Sequence, residues 1–137
     1  MDVIVLIGRI LLVALFIGAG YGHLTQTDAM SGYAQSKGVP SARLAVQVSG
    51  VLILVGGVMV LLGIWPDLGA LLLFIFLVPT ALLFHAFWKE TDPQARQMEM
   101  VQFQKDMALA GASLLAFALF ASAEPGLSIT GPLFHLS

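Results

Sequence analysis

The chain has 137 residues, 58% hydrophobic and only 10% charged, whereas a soluble domain carries roughly a quarter charged residues. The formal net charge is −2 and no basic run is present, so nucleic-acid binding has nothing to rest on. Cysteine is absent, which excludes thiolate catalysis, disulfides, Cys-ligated metals and persulfide carriage by this polypeptide.

Four apolar stretches, at 3–24, 42–64, 68–88 and 103–123, hold most of the hydrophobic residues. Each is near the ~20 residues that a helix needs to cross the ~30 Å hydrocarbon core. The predicted fold is therefore an all-α integral membrane four-helix bundle, one domain over 1–137. The first stretch begins Met1-Asp2-Val3-Ile4-Val5-Leu6, without the basic start of a signal peptide, and reads as a retained membrane helix.

In the connection 25–40, Thr27-Asp28-Ala29-Met30 opens a short interfacial helix predicted to reach Ser36. Ser41 stands where an N-cap for the second span belongs. Trp65-Pro66-Asp67-Leu68-Gly69 reads as a tight turn, with proline ending the preceding helix and tryptophan at the membrane interface. Pro79 falls near the middle of the third span and predicts a kink. That span closes on Phe84-His85-Ala86-Phe87-Trp88-Lys89, an aromatic belt with a terminal cation. The sequence is helix-compatible after Pro93, so the fourth helix is expected to start outside the lipid. The tail from Glu124 is predicted to be an irregular surface segment.

Four spans put both termini on one side and loops 25–40 and 89–102 on the other. Lys37, Arg43, Lys89, Arg96 and Lys105 lie on the loop side. The positive-inside rule then places the loops in the cytoplasm and the termini outside.

Polar residues inside membrane spans are costly, so each is a site candidate. They are Arg9, His23, Gln47, His85, Lys105 and Asp106. The up-down order brings all but Arg9 to one end of the bundle, beneath loop 25–40, where they would line a pocket. Arg9 lies about 21 Å along the same helix from His23, on nearly the same face. It either pairs with a carbonyl, Glu124 or the tail, or snorkels to the interface. Lys105 and Asp106 are adjacent and point about 100° apart, so one faces the core and the other water. A structural ion pair and a catalytic one are both open. His23 and His85 match in depth as a haem ligand pair would, but two histidines alone argue weakly for haem. No metal-ligand spacing is present. The clusters Gly18-Ala19-Gly20 and Gly56-Gly57 read as close helix packing.

Gly8-Arg9-Ile10-Leu11-Leu12, Phe16-Ile17-Gly18-Ala19-Gly20, Phe84-His85-Ala86-Phe87-Trp88 and the stretch from Gln97 through Phe103-Gln104-Lys105-Asp106 form a pattern. Gly111 and Pro125-Gly126-Leu127-Ser128-Ile129 continue it. This pattern resembles the DoxX family of four-helix bacterial membrane proteins over nearly the full chain. Ala86 and Asp106 stand where relatives often have asparagine, and Gln47 lies near a position that is often acidic. The resemblance implies a bacterial inner membrane location and a membrane partner in redox work. Some relatives are similar to the small subunit of a thiosulfate:quinone oxidoreductase.

The resulting expectation is an accessory subunit of a membrane redox complex with a quinone- or lipid-binding pocket. His23, Gln47, His85, Trp88, Lys105, Asp106 and Arg9 are the candidate binding residues, with Phe84, Phe87, Trp88 and Tyr21 as apolar walls. Its partners would be the lipid bilayer and membrane or redox proteins. A purely structural subunit of a larger complex is the competing expectation. A transporter, with Pro79 and the glycines as hinges, fits poorly without an inverted repeat.

Overall fold

A computed structural model describes residues 1–136, and no strand occurs among them. Five α-helices follow in order: α1 (Asp2–Thr25), α2 (Thr27–Ser36), α3 (Ala42–Leu62), α4 (Pro66–Phe84) and α5 (Pro93–Ser122). A 3₁₀ turn, Phe87–Lys89, sits between α4 and α5. The four long helices are those of the apolar stretches, each long and apolar enough to span a bilayer. The chain is an all-α membrane bundle.

Each long helix buries one narrow stripe and leaves the rest of its apolar surface outside. On α1 the buried residues are Arg9, Val13, Phe16 and Gly20, three and four apart. Leu11 and Leu15 on the same helix are exposed. Apolar side chains on nearly every face are stable only where the solvent is hydrocarbon. The central cluster contains Val13, Phe16, Ile53, Val60, Leu73, Leu77 and Phe120.

The helices pack in a row, α1 on α3, α3 on α4 and α4 on α5, while α1 and α5 barely meet. Glycine sets the tightest crossings, because lipid tails supply no hydrophobic drive and close backbone approach must do the work. A Cβ on Gly50 would lie 2.7 Å from the His23 Cβ, and one on Gly69 would lie 2.8 Å from the Gly56 carbonyl oxygen.

The loop end of the bundle carries α2, which begins at Thr27 and ends at Ser36. Ser41 is the N-cap residue of α3, as its position suggests, but it stands in a left-handed conformation and its side chain makes no capping bond. Asp92 does cap α5, its carboxylate accepting from the Ala95 N–H at 2.8 Å, with Pro93 in the first turn. With 30 residues, α5 is about 45 Å long, more than the ~30 Å hydrocarbon core, so part of it projects beyond the core. α4 continues through Pro79 without a break. The neighbouring Thr80 hydroxyl donates to the Phe76 carbonyl at 2.7 Å.

At the opposite end the tail folds over the α3–α4 turn. Gly63 ends α3 with a positive φ of 67°, a conformation that glycine adopts without steric cost. Asp67 lies in the first turn of α4 and is fully buried rather than part of an open turn. Its carboxylate accepts from the Leu133 and Phe134 N–H groups at 2.9 and 2.6 Å. The tail is irregular but fixed, with Ile129 and Thr130 donating to the carbonyls of Leu62 and Gly63.

Candidate functional site

Near the loop end, α3 and α4 are separated by a cavity of about 430 Å³ with α2 lying over it. Close approach at Gly56 and Gly69 holds the two helices together toward their shared turn. Beyond that crossing, Val46, Ser49 and Leu52 on α3 face Phe76, Pro79 and Thr80 on α4 across the cavity. Met30, Tyr33 and Ala34 of α2 contribute the roof. Val48, Ile75 and Leu83 also line it and are about half exposed. These exposed residues belong to membrane spans, so the cavity opens sideways into lipid.

Both imidazoles expected at a pocket line this cavity. His23 ends α1 and is placed by the close α1–α3 packing at Gly50. Its Nδ1 lies 2.9 Å from the Ser49 hydroxyl oxygen and 3.2 Å from the Val46 carbonyl. Its ring meets Phe76 edge-on at 6.0 Å. His85, just past the end of α4, directs Nδ1 to Glu99 at 2.7 Å and Nε2 toward Asp106 at 3.6 Å.

Asp106 is buried on α5 and Lys105 is exposed beside it, with Nζ 3.6 Å from an Asp106 oxygen. Lys105 also donates to Gln102. The adjacent pair thus divides between core and water, and its acid supports His85 from behind. Glu99 also lies 3.9 Å from Lys37, which is 3.6 Å from Glu90, so a run of alternating charges ties the end of α2 to α5.

Lys105 and Asp106 do not line the cavity, and three further candidate residues lie elsewhere. Arg9 is 2% exposed at the opposite end of the bundle. Its guanidinium donates to the carbonyls of Val60 at 2.8 Å and Leu61 at 2.6 Å, and to those of Gly126 and Leu127. It satisfies the C-terminal carbonyls of α3 and holds the tail, which removes it from the pocket. Gln47 is exposed on the outer side of α3, in a polar cleft with Asp28 and Arg43, because one residue past Val46 turns its side chain away. Trp88 meets Phe87 and Phe103 edge-to-face in an aromatic cluster at the bundle end and does not line the cavity. Of the expected walls, Phe84 lines it and Tyr21 is exposed.

Ser49, Thr80, Tyr33 and Phe76 were not singled out from sequence. Ser49 and Thr80 had a usable signal, since each is a hydroxyl within a span. Glu99 and Asp67 read as loop and turn residues and had none.

Comparison with known proteins places this geometry in a family. The chain is 31% identical over 130 residues to the inner membrane protein YphA of Escherichia coli K12, covering 95% of this chain and 84% of that protein. It is 33% identical over 131 residues to the inner membrane protein YqjF of the same organism, covering 96% and 86%. No solved structure matches. The DoxX family profile matches residues 4–86, the segment that supplies α1 through α4 and every residue lining the cavity, and the chain belongs to the DoxX family.

Proposed function

We propose that this protein is an accessory subunit of a membrane redox assembly, and that its cavity holds a quinone or a comparable lipophile. The observation behind this reading is the apolar cavity between α3 and α4, open to lipid and bearing two imidazoles. Binding sites for such molecules combine apolar walls with a few placed polar groups. A ligand would enter from the bilayer past Val48, Ile75 and Leu83, and its head group would reach His23, Ser49 and Thr80. A quinone, when bound, supplies a lipid-soluble carrier of electrons and protons. This chain's residues hold and orient it, and electrons come from a partner protein. A purely structural subunit would need no such opening.

The whole chain acts as one membrane domain in this reading. It lies in the bacterial inner membrane with loops 25–40 and 89–102 in the cytoplasm, because five of its six Lys and Arg residues lie at that end.

The test is to purify the protein in mild detergent, extract bound lipids and identify them by mass spectrometry. Wild type is expected to retain a quinone or other lipophile in stoichiometric amount. Leu52→Trp, which fills the cavity from α3, is expected to lose it while the bundle stays folded. Wild type free of any retained lipophile would sink the proposal.

A further inference from the structure

His23 has one nitrogen committed and one free, and the committed one determines what the free one can do. Nδ1 lies 3.2 Å from the Val46 carbonyl oxygen, which can only accept. The Ser49 hydroxyl, 2.9 Å from the same nitrogen, spends its own proton on the Val46 carbonyl at 3.0 Å. Nδ1 must therefore be the donor, to a carbonyl and a hydroxyl lone pair. No carboxylate lies within ion-pair distance of His23 among the described residues, and an imidazole without an acidic neighbour is mostly uncharged at neutral pH. In the neutral ring, a proton on Nδ1 leaves Nε2 with only a lone pair. Nε2 has no hydrogen-bond partner among the described residues.

We infer that the cavity selects a lipophile presenting a hydroxyl donor to His23 Nε2, and that this ligand is a lipid-soluble phenol, hydroquinones included, rather than a carbonyl-only quinone. The Thr80 hydroxyl gives its proton to the Phe76 carbonyl, so toward the cavity it too can only accept, and His85 Nδ1 is taken by Glu99. The edge-on Phe76 ring beside His23, with the tilted Phe84 and Tyr33 pair at 5.7 Å, favours an aromatic head group over an aliphatic alcohol. This inference rests on the reading of the cavity as a lipophile site, and deepens it from a class of molecule to a chemical form.

The test uses the full-length protein in detergent and three probes of equal chain length: a long-chain alkylphenol, its methyl ether and the matching alkyl alcohol. The phenol is expected to bind about fivefold to tenfold tighter than the ether, the scale of one net hydrogen bond. It should also outbind the alcohol. His23→Phe is expected to narrow the phenol-to-ether ratio toward one, because the ring remains and the imidazole acceptor is gone. The wild-type ratio alone decides the matter should that variant fail to fold. Phenol and ether binding equally to wild type would overturn the inference while leaving the lipophile site intact. Alcohol binding as tightly as phenol would overturn the assignment of an aromatic ligand. Binding of none of the three would overturn both this inference and the site reading beneath it.

Discussion

A guanidinium two turns inside a membrane span survives because every direction it points is a carbonyl or a hydroxyl. Arg9 meets Val60, Leu61, Gly126, Leu127 and Ser128, so its charge is spread over groups that would otherwise face hydrocarbon unpaired. Replacing it leaves those carbonyls behind, which is the costly direction of the change. Arg9→Met is expected to lower stability by about 2 kcal/mol and to release the tail. Thermal unfolding in detergent, together with protease cleavage near Leu127, measures both effects. A tail as protected as in wild type would show that Asp67 and the Ile129 and Thr130 backbone bonds hold it without Arg9. His23 illustrates the same economy, since two weak partners on one nitrogen define the chemistry of the other.

At the level of helices, spacing is set by what glycine leaves out. Gly50 admits the His23 Cβ to within 2.7 Å of where its own Cβ would stand, so α1 and His23 depend on it together. Gly50→Val is expected to cost about 1–3 kcal/mol by overpacking and to weaken ligand binding, because His23 is pushed from the cavity wall. Gly111 is the control, with nothing within 4 Å of an added Cβ. Gly111→Ala should be neutral or stabilising by up to about 1 kcal/mol, through helix propensity. Equal losses in the two variants, read from unfolding midpoints, would remove the packing explanation. The helix α2 is seated by buried Ala34 and the Tyr33–Phe84 ring pair, and the partly exposed Lys37 pairs with Glu90 and Glu99 link its end to the 3₁₀ turn and α5.

The molecule as a whole has two unlike ends. One bears α2, the cavity and the run of charges, and the other is sealed by the tail on Arg9 and Asp67. The charge bias predicts that the first faces the cytoplasm. Because the chain has no native cysteine, single-cysteine variants report orientation cleanly. Gln94→Cys, in the loop-side half, is expected to resist a membrane-impermeant maleimide in intact cells with a permeabilised outer membrane. Gly131→Cys, in the tail, is expected to react. The reverse pattern would invert the assigned orientation and leave the fold untouched.

Hydrophobic length and punctuation were legible in the sequence because they act locally. Twenty apolar residues must span, Pro93 must begin a helix, and a short polar segment with periodic apolar residues must lie at the interface as α2 does. The convergence of His23 and His85 on one end also followed, since depth along a span is counted residue by residue. Side-chain direction did not follow. Gln47 and Ser49 share a depth, yet one faces a polar cleft and the other His23, a difference of rotation that only the α3–α4 contact decides. Arg9 had the tail among its expected partners and meets it at residues 126–128, but other partners distant in sequence were hidden: Asp67 with 133 and 134, and His85 with Glu99. Each unites groups whose pairing is worthwhile only after the helices have packed, so tertiary structure alone selected them.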